Sequence, residues 1–584
     1  MLDRIKNNSF VLPIILSVFT YISLCYQDII PINNIFSIFV LILIIYFYKN
    51  NLLKKSECNK DILIFSLFFA IILILGRILY NFRYSVTDSF WNELFTFKNI
   101  IYLIGNTSLI YTILITAIPK LINIKFKDKK MFKKKHIFLW SLVIIFICWL
   151  PYFIVYYPGI ITGDSLSELN MILGNKAVTD HHTVIHFIFM FISYKIGYLI
   201  SGNVNFSVGL ISLVQMLVMA SIFAYSISFL SKRNVNKYLL IAVLLFYAIV
   251  PVFGFYSITM WKDIIFSGMV LLLVLELIKL LEKKNDITFK NSFSFIIISL
   301  LTIFFRNNAI YMYFILALVT LIIFRKKLKV IVPMLIIVFA VFFVVKGPIY
   351  NYFGIRTSKS SEYIAIPLQQ IGRMAYKGVE FTKEEKDLID ELIPLKILRK
   401  SYNAEIVDSI KFNDNYNAEA FEENKIEYLK LWVSLCFKHF DIATEAYLTS
   451  TLGYYYPNVD YWVTTAKIDE NDIGVHTSSF VPDNIRDEIT KLGTRTLPII
   501  GNTWCIALAF WLILLSAYIS VKRYRTKSIL YVYVPILGIW LTMMVATPVF
   551  AEFRYIFSAF TCLPILLIVP FLEKRRGRSY EKVK

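Results

Sequence analysis

Asp164 stands between Gly163 and Ser165 where an apolar run ends, and the adjacent histidines His181 and His182 follow about one short helix later, just after Asp180. His186 closes the same polar stretch, YYPGIITGDSLSELNMILGNKAVTDHHTVIH. Ionisable groups beside hydrocarbon are costly to keep and are enriched where their charge is used. Further along come Trp261, Lys262 and Asp263 in WKDIIFSG, Arg306 in FFRNNAIY, Arg373 in IPLQQIGRM, and Glu552 with Arg554 in FAEFRYIF. Carboxylates that accept a proton from a hydroxyl, set beside cations that hold a phosphate, suit group transfer from an anionic substrate. We therefore assign the catalytic positions to Asp164 and Asp263. Substrate contacts fall to His181, His182, His186, Lys262, Arg306, Arg373, Glu552 and Arg554. Each has a plainer reading: a helix cap for Asp164, an interfacial polar pair for His181 and His182, a local salt bridge for Asp263 with Lys262, and an interfacial anchor for Arg554. The aromatics of TLGYYYPNVDYW read as packing rather than as a sugar platform.

These residues have to be positioned by membrane helices. The chain has 584 residues, of which 58% are hydrophobic and 16% aromatic, with a mean hydropathy of +0.64. Repeated apolar runs of about 18 to 22 residues each suffice to cross the hydrocarbon, so the spacing predicts an all-α polytopic membrane protein with a bundle of about 14 helices. The run from 293 to 324 is divided in two at Arg306, Asn307 and Asn308. The segment 183–200 is apolar enough to cross, but counting it as a crossing would carry the cluster SKRNVNK to the other side, so it is laid along the outer interface. The first apolar run, near 10–26, has no small-residue cleavage site and is expected to be a span rather than a cleaved signal.

Basic clusters at 54–60, 125–135, 232–237, 283–290, 325–329, 522–527 and 574–584 place those loops and both termini in the cytoplasm of a multi-pass cell-membrane protein. The insertion 347–496 carries 17 Lys and Arg against 23 Asp and Glu, a net of −6, whereas the remainder carries a net of +27. That asymmetry puts the insertion outside, as a mainly helical extracytoplasmic domain. The expected organisation is N-terminal membrane helices (1–124), a catalytic membrane module with outer loops (125–346), the outer domain (347–496), and C-terminal membrane helices with a basic tail (497–584). The six cysteines show no CxxC spacing and no disulfide or cysteine metal cluster is implied. Neither a glycine-rich phosphate loop nor an internal repeat is present, which counts against common transporter folds, and nothing points to nucleic acid as a partner.

The order of these features resembles the GT-C superfamily of polytopic glycosyltransferases, which use polyprenyl-phosphate-linked sugars and include the lipid A aminoarabinose transferase and the protein O-mannosyltransferases. In that superfamily the first large outer loop bears a catalytic or metal-binding Asp, matched here by Asp164 in GDSLSEL. An interfacial helix then opens with charged residues and Pro, and a second Asp closes the next outer loop; Asp180-His181-His182-Thr183 and Trp261-Lys262-Asp263 occupy those positions. Thr183 stands where Pro is usual and no Lys lies beside it, so Lys262 is the candidate for the missing cation. More closely, YYPGIITGDS, HHTVIH, WKDIIFSG, FFRNNAIY, IPLQQIGRM and FAEFRYIF together resemble a family of bacterial membrane proteins without an established function.

The resemblance implies a GT-C-like bundle and an inverting transfer of a hexose or pentose from a polyprenyl-phosphate carrier to an envelope glycan, lipid or protein at the outer face of the membrane. Asp164 would act as general base, or orient the acceptor through a divalent cation that Asp164 and Asp263 would hold; no cofactor is certain. The alternative is a transporter or flippase of a lipid-linked anionic substrate, in which the same cations line a path, and a third is a non-catalytic scaffold in envelope assembly.

Overall fold

In the computed structural model, residues 11–572 are described apart from 28, 32–33, 53–58, 125–133, 357–363, 495–500, 502–503 and 547–548. The basic tail 574–584, most of the clusters at 54–60 and 125–135, and Cys58 lie outside the described residues. The chain is 77% helical with no strands among the described residues. Among the described residues eleven helices are long and apolar enough to cross a membrane, or up to twelve if a bent pair counts as one span. The protein is thus a multi-pass membrane protein by the length and composition of its helices. Three further apolar helices, Val11–Tyr26, Phe289–Phe305 and Ala309–Ile323, are shorter than that standard. With the bent pair Lys237–Ile249 and Pro251–Ser257 they make up four of the about fourteen expected spans; the other ten pass, and Val184–Ser201, expected along the interface rather than across it, is the eleventh.

The chain folds as two compact units. The first combines residues 1–125, 363–459 and 547–551. Its membrane helices include Val11–Tyr26, Ile35–Leu52, Lys60–Phe82 and Phe97–Asn123. Close approach relies on small residues, as in bilayers generally. A Cβ on Gly105 would lie 2.5 Å from the Phe19 carbonyl oxygen, and Thr20 Oγ1 donates to the Gly105 carbonyl at 3.0 Å. The rest of this unit is a set of short helices from Ala365–Tyr376 to Phe440–Ser450, closed around a core that includes the fully buried Met374, Val407, Ile410 and Leu435.

The second unit holds 126–362, 460–546 and 552–584. The expected outer segment 347–496 is accordingly divided between the units, with 363–459 in the first and 347–362 and 460–496 in the second, and its part from 460 to 482 is irregular rather than helical. The Lys262–Glu282 helix is the centre of this unit, with 89% of its apolar window buried. The expected span 238–256 is broken: Lys237–Ile249 and Pro251–Ser257 meet at 54°. Pro251 lacks the N–H that a continuous helix needs at that point. The division at Arg306–Asn308 is present between Phe289–Phe305 and Ala309–Ile323. Val184–Ser201, laid along the interface from the charge pattern, meets the length and composition of a span.

Candidate active site

Three separate segments of the second unit are stitched together beneath Asp164. After Pro158 the chain turns at Gly159, whose φ of +147° and whose distance of 2.2 Å from an added Cβ to Ser212 Oγ both require glycine. Ile160 then pairs with Thr259 and Ile161 with Ile468 in isolated parallel bridges. The 258–261 segment is held in turn by the buried side chain of Gln215, whose amide donates to the carbonyls of Tyr256, Ser257 and Thr259 at 3.3, 3.0 and 2.8 Å. Thr162 and Gly163 follow at the start of the Gly163–Ile172 helix. Ser165 Oγ donates to the Met260 carbonyl at 2.7 Å, and Trp261 Nε1 donates to Thr162 Oγ1 at 2.8 Å. Each of these bonds satisfies a polar group that would otherwise be left unpaired away from water.

This stitching opens a cleft of about 270 Å³ lined by Thr162, Gly163, Asp164, Trp261, Trp462, Glu552 and Arg554. Arg554 is its electrostatic centre. Its Nη1 donates to Asp164 Oδ2 at 2.7 Å, its Nε lies 3.7 Å from Glu552 Oε1, and its guanidinium sits 5.1 Å from the Trp261 ring. The Trp261 and Trp462 rings are 5.7 Å apart, and Trp462 remains 48% exposed. An apolar ring face is therefore offered to the cleft beside charged groups.

The charges set one another. Burial pushes the Asp164 carboxyl up, but Arg554, Lys262 and His182 outweigh it and hold the group at about 2. Burial dominates at Glu552 and raises it to about 7, helped by the negative charges of Asp263 and Asp164 against the opposing pull of Arg554. Burial and the neighbouring Lys262 push the His182 imidazole down to about 3. Two carboxyl groups on one cleft wall are thereby driven apart, a pattern that separates an ionised group from a proton carrier.

The sequence-assigned residues distribute as follows. Asp164, Glu552 and Arg554 line the cleft. Lys262 stands at its edge, donating to the His181 carbonyl at 2.8 Å, while the His181 ring meets His182 edge-on at 4.7 Å. Asp263 and Arg306 lie behind, 3.2 Å apart and both buried, with Arg306 also donating to the Tyr555 carbonyl. Asp180 is engaged by Lys346 at 2.5 Å, and Asn307 caps its carbonyl. Two further assigned contacts, His186 and Arg373, are engaged elsewhere. His186 is fully buried with Nδ1 on Glu168 at 2.8 Å, tying the Val184–Ser201 helix to the helix that carries Asp164. Arg373 belongs to the other unit and is buried on Glu445 at 2.5 Å, donating also to the carbonyls of Phe82 and Arg83. In both cases a hidden carboxylate engages the side chain that an open site would have used.

Trp462 is the residue that sequence reasoning passed over. The run YYYPNVDYW is rich in aromatics and reads as packing, whereas the bridge of Ile468 to Ile161 and the bond from the Tyr256 hydroxyl to the Val463 carbonyl at 2.7 Å hold Trp462 beside the Asp164 segment. The donor set does not suit a divalent cation. Among the described residues no group of three or more His, Cys, Asp and Glu side chains is arranged for one, and Asp164 and Asp263 each face a guanidinium instead. Of the described cysteines, Cys25, Cys505 and Cys562 are buried and Cys148 and Cys436 are partly buried.

Comparison with other proteins adds one relationship. The profile described as "Family of unknown function (DUF6020)" matches residues 173–584, most of the chain, and the protein belongs to that family. No curated protein and no solved structure matches the chain.

Proposed function

We propose that this family member is a membrane glycosyltransferase of GT-C type, with about fourteen crossings, that moves a sugar from a polyprenyl-phosphate carrier to an envelope acceptor at the outer face of the cell membrane. The observation that carries this reading is the composition of one cleft: Arg554 for the phosphate, with the charge of Lys262 acting on Asp164 from nearby, Asp164 and Glu552 for the hydroxyl chemistry, and Trp261 with Trp462 for a sugar face. Its volume of about 270 Å³ lies just under the range typical of drug-sized ligands, which suits one ring rather than a long chain. The polar groups also gather at helix ends. Asp263 is the second residue of Lys262–Glu282, Arg306 caps Phe289–Phe305, and Arg554 is the second residue of Phe553–Ile568. A transport path would instead distribute such groups through the helix middles.

The test is incubation of the full-length protein in lipid nanodiscs with undecaprenyl phosphates bearing labelled hexoses or pentoses, together with lipid and glycan acceptors. Label should leave the carrier and join an acceptor. Movement of intact donor across the bilayer with no loss of label from the carrier would replace this reading by the flippase.

A further inference from the structure

The cleft carries two carboxylates that a transfer reaction could employ, and their surroundings are unequal. Asp164 receives a charge-assisted hydrogen bond from Arg554 Nη1 at 2.7 Å. The same guanidinium approaches Glu552 only to 3.7 Å, beyond hydrogen-bond reach. Asp164 keeps 39% of its side chain in contact with solvent, whereas Glu552 keeps 12%. One group is thus open and hydrogen-bonded to the guanidinium; the other is enclosed, with that guanidinium aimed at its neighbour.

We propose that Glu552, rather than Asp164, is the carboxylate of this cleft that takes and returns a proton, while Asp164 stays ionised as the anchor that aims Arg554. The inference deepens the glycosyl-transfer reading and rests on it only for the identity of the proton donor. In that reaction the acceptor hydroxyl oxygen forms a bond to the anomeric carbon as the bond from that carbon to the carrier phosphate breaks. The departing electron pair goes to the phosphate oxygen, and the hydroxyl proton passes to Glu552, from which water removes it before the next turnover. A base is most effective when its affinity for the proton matches the working pH, and the elevation of Glu552 to about 7 fits that requirement where the about 2 of Asp164 does not.

The groups facing Glu552 come from several elements. Asp164 stands on the Gly163–Ile172 helix, Asp263 on Lys262–Glu282 with Arg306 behind it, the Tyr256 phenol on Pro251–Ser257, and Arg554 with Tyr555 on its own helix. The nearby anions and burial favour the protonated form, and Arg554 opposes them through its side chain and its backbone N–H. Arg554 is shared, so its partition between the two carboxylates contributes to the behaviour of Glu552.

The experiment is infrared difference spectroscopy of the full-length protein in nanodiscs, titrated across neutral pH with no substrate present. A protonated-carboxyl band should fade with a midpoint near 7 in the wild type and be missing in Glu552→Gln. Glu552→Asp should keep a titrating band at a shifted midpoint, which guards against loss of fold as the cause. Asp164→Asn frees Arg554 for Glu552 and should lower the midpoint by about one pH unit, a tenfold loss of proton affinity. Persistence of the neutral band in Glu552→Gln, or its disappearance in Asp164→Asn alone, would overturn the proposal. In parallel, release of hexose from undecaprenyl-phosphate hexose should show an acidic limb that vanishes in Glu552→Gln with a loss of about 10²- to 10⁴-fold. If the band titrates as described and no probe donor is consumed, the proton-exchange assignment stands and the glycosyl-transfer reading falls.

Discussion

Arg554 Nη1 donates to Asp164 Oδ2 at 2.7 Å, joining residues 390 positions apart in the chain. The guanidinium uses its shape as well as its charge: one edge meets Asp164, the Nε side faces Glu552, and its plane lies near the Trp261 and Tyr555 rings. A lysine ammonium supplies a point charge without that fork. Arg554→Lys should therefore be nearly as harmful as Arg554→Gln. In both, affinity for undecaprenyl-phosphate hexose should fall by about 10- to 150-fold, the equivalent of a charge-assisted hydrogen bond of about 1.5 to 3 kcal/mol. Binding titrations in nanodiscs would decide this, and full retention by Arg554→Lys would show that charge alone is used.

Trp462 offers an exposed ring beside Trp261. Trp462→Ala should weaken donor or acceptor sugar binding by roughly tenfold, about 1.4 kcal/mol, and Trp462→Phe should be milder because it keeps a ring face. Apparent KM for each labelled substrate reads the effect; an unchanged KM in Trp462→Ala would return this residue to packing.

Arg373 lies 1% exposed on Glu445, which also receives Lys377 at 2.7 Å. Glu445→Ala leaves two cations buried without their carboxylate, and breaking such a pair costs about 3 to 5 kcal/mol. We expect a large drop in thermal stability with little change in donor affinity of the protein that remains folded. A variant that melts like the wild type but binds donor poorly would restore Arg373 and its partner to a substrate role.

His182 is buried and held at about 3 in the folded protein, whereas an unfolded histidine takes its proton near about 6.5. Between those values the unfolded chain binds more protons than the folded one. Folding stability therefore falls as pH drops through that window. At pH about 5 the difference is about 2 kcal/mol for this group. Melting the wild type and His182→Gln at neutral and acidic pH should show the larger acid loss in the wild type. Equal losses would mean that His182 is solvated.

Sidedness follows from the charge pattern. A cysteine replacing the exposed Ala177 should be labelled by an impermeant reagent only from outside, and one replacing the exposed Asn285, in the turn between Lys262–Glu282 and Phe289–Phe305, only from the cytoplasm. The opposite pattern would turn the cleft inward and remove the outer-face acceptor.

The sequence alone determined that this chain is a helical membrane protein, because helix length and apolar composition are local properties that need no partner to be read. It also placed the break at Arg306–Asn308, since three polar residues interrupt an apolar run, and it singled out Asp164, Glu552 and Arg554, since ionisable groups are conspicuous beside such runs. Tertiary structure decided how those charges are spent. Whether such a side chain faces a cleft or a hidden carboxylate depends on helices distant in sequence: Arg554 reaches Asp164 and lines an opening, while Arg373 and His186 are engaged by Glu445 and Glu168. The same holds for Trp462. Its aromatic neighbours hide it in the sequence, and contacts distant in sequence, the pairing of Ile161 with Ile468 and the bond of Tyr256 to the Val463 carbonyl, carry it to the cleft. Hydropathy is summed along the chain, but ion pairing falls off over a few ångströms of space, so the composition of a site is settled only when the fold brings its members together.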